Sequence, residues 1–269
     1  MGEASSFQPS AVGNSRSRLE AGSFFLMPAL PLLQACLNGN RPPGSHPALP
    51  RTPAELAQAA WASVAAGAGA LHLHPRSVQG RETLDAEEVA AALSAVRAAC
   101  PGIPVGISSG FWVLPDVEAQ LAAARAWTVR PEFVSVNWHE AHAVPLAETL
   151  LGLGIGVEAG LWTAEAARAF LHWPGRDRVL RVLVELPDRE DVLPDAGRIL
   201  ALLDGAGVRS PRLLHGEGRS AWPLLREAGR RSLPTRIGLE DTLALPDGTP
   251  AADNADLVRA ARAVLASPG

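Results

Sequence analysis

Eight short apolar runs recur along this chain at intervals of roughly 20–40 residues, each followed by a helical or helix-like stretch, and this alternation limits the fold more than anything else. The runs are LLQACLNG (32–39), ALHLH (70–74), IPVGISSG (103–110), FVSVNWH (133–139), GIGVEAG (154–160), VLRVLVEL (179–186), PRLLHGEG (211–218) and TRIGLED (235–241). Strands joined by helical crossovers pair in parallel, and a parallel sheet must be covered on its faces by those helices. A count of eight favours a sheet closed into a barrel over an open doubly wound sheet. No run is followed by G-x-G-x-x-G, so an open dinucleotide-binding sheet has no support. Amphipathic segments such as 52–67, 85–100 and 163–173 fill the gaps. The first carries its own punctuation: Thr52 and Glu55 form a capping box, Pro53 takes the first helical position, and Gly67 supplies the stop. The expectation is an α/β chain with a single-domain (β/α)₈ TIM barrel over residues 30–266.

Residues 1–29 are set apart. Polar and rich in serine and glycine, they read as a disordered extension. FFLMPALPLLQAC invites comparison with a signal peptide, but Pro28 and Pro31 interrupt the apolar run, and Glu20 breaks the basic stretch before it. The preferred reading makes Met27 the natural start and LLQACLNG the first core strand. No run approaches the roughly 20 apolar residues of a membrane span, so no membrane association is expected. A net charge of −4 without a basic stripe argues against nucleic acid. Cys36 and Cys100 lie in unrelated contexts, which favours free thiols in a reducing, cytoplasmic setting, with Cys36 a small core filler. All 24 basic residues are arginine, which excludes Schiff-base and carbamylated-lysine chemistry.

Barrel chemistry sits at the C-terminal ends of the strands, and polar residues gather there. The first strand ends in Asn38 and Arg41, the second in His72, His74 and Arg76, and the third in Ser108 and Ser109. Ser135, Asn137, His139 and Glu140 end the fourth, Glu158 the fifth, His215 and Glu217 the seventh, and Arg236, Glu240 and Asp241 the eighth. Side chains at i and i+2 share a strand face, so His72 and His74 point inward together if Leu71 and Leu73 face the helices. Arg236, Gly238 and Glu240 share a face in the same way, with Asp241 at the turn. Strands eight, one and two are neighbours in a closed barrel, so His72, His74 and Glu240 can converge. Two imidazoles and a carboxylate with open positions suit a catalytic divalent metal, with zinc the best match. His215 and Glu158 compete for the third place. His46, His142 and His172 read as loop or helix-surface residues, and the tryptophans as packing residues.

These motifs resemble those of the β-keto acid cleavage enzymes, the family named for 3-keto-5-aminohexanoate cleavage. The resemblance covers about Leu32 to Arg262 and rests on ACLNGNR…HPALPRTPAELA, AGAGALHLHPRSVQGRETLD, IPVGISSG, PEFVSVN and TRIGLEDTL…NADLVRAA. It implies a TIM barrel with Zn²⁺ on His72, His74 and Glu240. It also implies that Arg236 and Asp241 remove a substrate proton, and that Ser108 and Ser135 contact substrate or intermediate. The implied reaction condenses a β-keto acid with acetyl-CoA, giving acetoacetate and a new acyl-CoA. Asn38 and Arg41 are assigned to the substrate as well. Arg41 stands where an acidic residue would suit an amino-bearing acid, which hints at a neutral or anionic variable end; the alternative is a loop arginine facing solvent. The strand-three motif departs from the usual Ser-Thr-Gly-Gly by reading Ser-Ser-Gly. HGEGRSAW (215–222) reads as an ordinary glycine-rich turn, with a phosphate-binding turn as the alternative. Two other functions stay open: a CoA-independent zinc aldolase or hydrolase, and a non-catalytic metal- or metabolite-binding barrel. A homo-oligomer is expected from apolar helix faces and from the resemblance.

Overall fold

The structure is a computed structural model and describes residues 1, 2 and 33–266; most of the extension expected over 1–29, and the signal-like run as far as residue 32, lie outside them. All eight anticipated strands form, each followed by a helix. They are β1 (Leu33–Cys36), β2 (Ala70–Leu73), β3 (Val105–Ser108), β4 (Phe133–Asn137), β5 (Gly156–Leu161), β6 (Arg181–Leu186), β7 (Arg212–Gly216) and β8 (Thr235–Ile237). The helices are α1 (Pro53–Ala65), α2 (Ala86–Ala99), α3 (Val117–Ala126), α4 (Ala143–Gly152), α5 (Ala164–His172), α6 (Leu193–Gly205), α7 (Ala221–Arg230) and α8 (Asn254–Ala266). The capping box at α1 is complete: Glu55 N–H donates to Thr52 Oγ1 at 3.2 Å, and Thr52 N–H donates to Glu55 Oε2 at 2.9 Å.

Every pair of neighbouring strands is parallel, in the order β7-β6-β5-β4-β3-β2-β1-β8. The two ends of that order meet where Leu214 N–H donates to Pro234 O at 2.9 Å and Thr235 Oγ1 donates to Leu214 O at 2.8 Å. The sheet is thus a nearly closed TIM barrel. Leu71 and Leu73 are fully buried in the apolar layer shared with Leu93 of α2, the outward side of β2. Register then carries the inward face around the barrel, pairing Cys36 with His72, His72 with Gly106, Ser135 with Glu158, Glu158 with Arg181, and Glu185 with His215. A period of two, read around a closed sheet, stacks these polar residues in interior layers. Cys36 and Cys100 are buried free thiols. Among the described residues no helix is long and apolar enough to cross a membrane.

The eighth strand is shorter than TRIGLED suggests, ending at Ile237. At Gly238 a Cβ would stand 1.8 Å from the Cys36 carbonyl oxygen, so the two backbones touch there. The chain leaves the ladder, and Asp241 and Thr242 N–H groups both donate back to Gly238 O. Glu240 therefore reaches the barrel mouth from a tight turn and not as the next inward residue of a strand. Asn254 fixes that turn, accepting from Leu239 N–H at 2.8 Å and donating to Leu37 O at 2.9 Å.

Candidate metal centre

His72 in β2 and His74, the residue after its end, bring their Nε2 atoms within 3.2 Å of each other. Glu240 Oε1 lies 3.8 Å from His72 Nε2 and 3.6 Å from His74 Nε2. One donor atom from each of the three residues falls within 4.8 Å of the others. Gly39 makes this approach possible, because a Cβ there would meet Glu240 Cγ at 2.5 Å, and its φ of +54° suits glycine. Glu240 Oε2 and His72 Nδ1 are buried without a hydrogen-bond partner. Two imidazoles and a carboxylate, close-set, buried and incompletely satisfied, fit a divalent cation.

The two histidines differ behind their Nε2 atoms. His74 Nδ1 meets Glu82 Oε2 at 2.7 Å, and that same oxygen accepts from Trp112 Nε1–H at 3.2 Å. A carboxylate at Nδ1 selects the tautomer that turns the Nε2 lone pair outward. Without a cation, burial lowers the basicity of His74, but Glu240 and Glu82 outweigh it and raise the pKa to about 9. For His72 burial wins, and the pKa falls to about 4. Glu82 was not anticipated, because a contact between a strand end and the far side of a loop leaves no periodic trace. The glycine turn at Gly80 and the bridge between Arg76 and Glu82 fold it back.

Arg236 is the electrostatic hub beside the triad. Its Nη2 lies 2.8 Å from Glu240 Oε1, 3.2 Å from Asp241 Oδ1 and 3.7 Å from Glu185 Oε1, while its Nε–H donates to His215 Nδ1 at 3.2 Å. Asp241 is fully buried, and neither carboxylate oxygen accepts a hydrogen bond. His215 stands between Asp241 (3.5 Å) and Glu185 (3.4 Å). Burial and Arg236 depress its pKa, yet the carboxylates prevail and raise it to about 9. Burial followed by repulsion from Glu185 and Asp241 lifts the Glu217 carboxyl to about 8.

A cavity of about 250 Å³ opens over the triad. Ser108, Ser135 and Arg236 line it. Ser135 also donates its hydroxyl to Glu158, which belongs with Arg181 deeper in the barrel and not with the triad. His215 likewise supplies no atom to the triad, so of the competing third ligands only Glu240 is in place. Asn38 is not at the cavity: its amide donates to His74 O at 3.0 Å and accepts from His74 N–H at 2.9 Å, tying the end of β1 to β2. Arg41 also stays outside, its Nε–H donating to Leu239 O. Glu185 and Glu217 do line the cavity, as do Trp112 and Trp162, so these two tryptophans are more than packing residues. Trp127, Trp138 and Trp173 pack in the core as expected. His142 is a correction too, since it is buried against Phe111 (ring centroids 5.0 Å apart) and 3.2 Å from Glu140. In the glycine-rich turn after β7, the N–H groups of Glu217, Gly218, Arg219 and Ser220 all donate within the chain, which leaves the ordinary-turn reading.

Comparison with known proteins places this arrangement in context. The family description "beta-keto acid cleavage enzyme" matches residues 32–166 and 201–269. A 3-keto-5-aminohexanoate cleavage enzyme from Fusobacterium nucleatum subsp. nucleatum is 36% identical over 74 residues, which is 27% of each chain. Among solved structures, a ternary complex of ObcA with a C4-CoA adduct and oxalate superposes with a TM-score of 0.65 at 16% identity, covering 81% of this chain and 63% of that one. The spore coat polysaccharide biosynthesis protein spsE from Bacillus subtilis gives a TM-score of 0.53 at 13% identity, covering 88% of this chain and 68% of that one. At such identities the likeness is one of fold. This chain spans less than two thirds of ObcA and matches little more than a quarter of the curated relative.

Proposed function

The chain belongs to the beta-keto acid cleavage enzyme family, and from that premise we propose that it condenses a β-keto acid with acetyl-CoA, releasing acetoacetate and the acyl-CoA of the remaining fragment. The observation that carries this reading is the open His72–His74–Glu240 triad beside an arginine–aspartate pair whose carboxylate accepts no hydrogen bond. The donor set suits zinc, which when bound would act as a Lewis acid on the ketone and carboxylate oxygens and acidify the C2–H bond.

The chain's own groups supply the rest. Asp241 takes the C2 proton, with Arg236 holding it in place and stabilising its charge. The C2 carbanion then attacks the acetyl-CoA carbonyl and displaces the CoA thiolate. That thiolate attacks the original ketone, the C2–C3 bond breaks, and acetoacetate takes back its proton from Asp241. Ser108 and Ser135 face the oxygens on which charge develops. ObcA was crystallised with a CoA adduct and, separately, with oxaloacetate, a keto acid, which supports a keto acid and a CoA thioester as the partners.

The deciding assay incubates zinc-loaded protein with a panel of β-keto acids, with and without acetyl-CoA, and measures acetoacetate and new acyl-CoA. Formation of both only when thioester is present supports the reading. Consumption of keto acid without thioester makes the protein a zinc aldolase or hydrolase, and zinc binding with no turnover makes it a binding barrel.

A further inference from the structure

The cavity over the triad does not end at its mouth. It shares Asn40 and Trp112 with a second depression of about 520 Å³, which lies between the loop after β1 and the loop after β2. That depression shares Pro43, Arg76 and Gly80 with a third, of about 630 Å³, reaching Arg51 and the first turns of α1 and α2. Together they form one track from the histidines to the outer face of the barrel.

The track is basic in an otherwise acidic protein. Arg41 and Arg81 line its middle, Arg51 lines its outer part, and Arg76 lines both. None of the four forms an ion pair among the described residues, whereas Arg97, Arg181, Arg212 and Arg236 each do. Arg76 is only 7% exposed. Its Nη atoms donate to the carbonyls of Gly39, Arg41 and Gly80, which ties the two loops together, and its Nε has no partner. Arg51 and Arg76 line the same depression, and two guanidiniums on one groove are stabilised by an anion between them. The outer part adds apolar walls from Pro43, Pro53 and Val78, the last 91% exposed. Glu87 and Glu88 also line that outer part and Glu82 the middle, where His74 and Trp112 engage its carboxylate, so an anionic group belongs beside the arginines and away from these three.

We propose that this track holds the nucleotide half of a coenzyme A thioester. The phosphates lie against Arg41, Arg81 and Arg51, and the base lies on the Pro43–Pro53–Val78 surface. The pantetheine arm passes Asn40 and Trp112 into the cavity. The proposal rests on the acyl-transfer reading for the identity of the thioester, and on the groove and its unpaired arginines for the place.

The test combines calorimetric binding of desulfo-CoA to the full chain with steady-state kinetics. Arg51→Ala and Arg81→Ala should each weaken desulfo-CoA binding about tenfold, the size of one lost charge-assisted contact. They should also narrow the KM gap between acetyl-CoA and acetyl-pantetheine by a similar factor, while Arg209→Ala, away from the groove, leaves desulfo-CoA binding unchanged. Both arginines are exposed, so loss of folding does not confuse the result. Equal binding by the parent and both variants overturns the track, even if acetyl-CoA turnover upholds the acyl-transfer reading. Weakened binding in a protein that makes no acetoacetate upholds the track and sinks the transfer reading.

Discussion

Arg181 and Arg236 are both buried guanidiniums on the inner face of the barrel, and each is surrounded by polar groups, but at different heights. Arg181, the first residue of β6, donates to Glu158 and to Gln34, and the second Glu158 oxygen accepts from the Ser135 hydroxyl. Only Arg181 Nη1 is left over. Around Arg236 the count runs the other way: Glu240 Oε2, both Asp241 oxygens, His72 Nδ1 and His215 Nε2 are buried without hydrogen bonds. Closed polar networks fix a core in one arrangement, whereas an unfinished one is costly unless something else completes it. The lower network accordingly belongs to the fold and the upper one to a ligand. Residues of identical type, such as Arg181 on β6 and Arg236 on β8, are divided by whether their partners lie within the chain.

The sharpest way to break that division is to remove one carboxylate from each network. Asp241→Asn should lower kcat by about 10²- to 10⁴-fold, the range of a lost proton-transfer group. Thermal stability and zinc content should stay near the parent's, because Arg236 keeps Glu240 and Glu185. Glu158→Ala should do the opposite. It strands Arg181 in a site with no solvent exposure, a loss of about 3–5 kcal/mol in urea unfolding. The folded fraction should still bind zinc. If Asp241→Asn instead melts the protein while Glu158→Ala spares it, the assignment of the two networks is reversed.

A smaller effect sharpens the asymmetry inside the triad. Glu82→Gln keeps the shape but weakens the carboxylate contact at His74 Nδ1. Zinc affinity, read by competition with a chelator, should fall about 10- to 100-fold. Glu82→Asp should recover part of the loss. Unchanged affinity would mean that His74 needs no support and that the pair with Glu82 is incidental.

How far the sequence reached follows the same line between local and distant partners. The barrel was legible because period-two and helical patterning are local, and His72 and His74 declared their shared face through the leucines between them. Glu240 was found, although by a strand geometry where the structure has a turn after Ile237. Asn38, His142 and Glu82 escaped because their partners are His74, Phe111 and again His74, residues that only the folded chain brings close. His142 in particular opens an amphipathic helix, where position alone reads as surface. The basic track was hidden for the same reason, its arginines being spread over two loops and a helix start.

The smallest expected effect concerns the rim of the upper network, where Glu185 and Glu217 should respond to pH with opposite signs. Burial resists ionisation of Glu185, but His215 and Arg236 prevail and hold its pKa at about 2, below the ordinary 4.5. A depressed carboxyl stabilises the fold above its unfolded pKa and loses that contribution as pH falls toward the folded value. Glu185→Gln should therefore lower the melting temperature near neutral pH and matter progressively less in strong acid. Glu217 is the reverse case, raised from 4.5 to about 8. Its folded form takes up the proton more readily than the unfolded chain does, so its contribution fades as pH climbs from about 4.5 to 8. A glutamine cannot ionise, so Glu217→Gln should match the parent at about pH 4 and melt higher than it at about pH 9. The comparison is made on metal-free protein, since a bound cation would add its own field. A Glu217→Gln melting difference that is equal at both pH values would place that carboxylate outside the field of Glu185 and Asp241, and the unfinished network would end at His215.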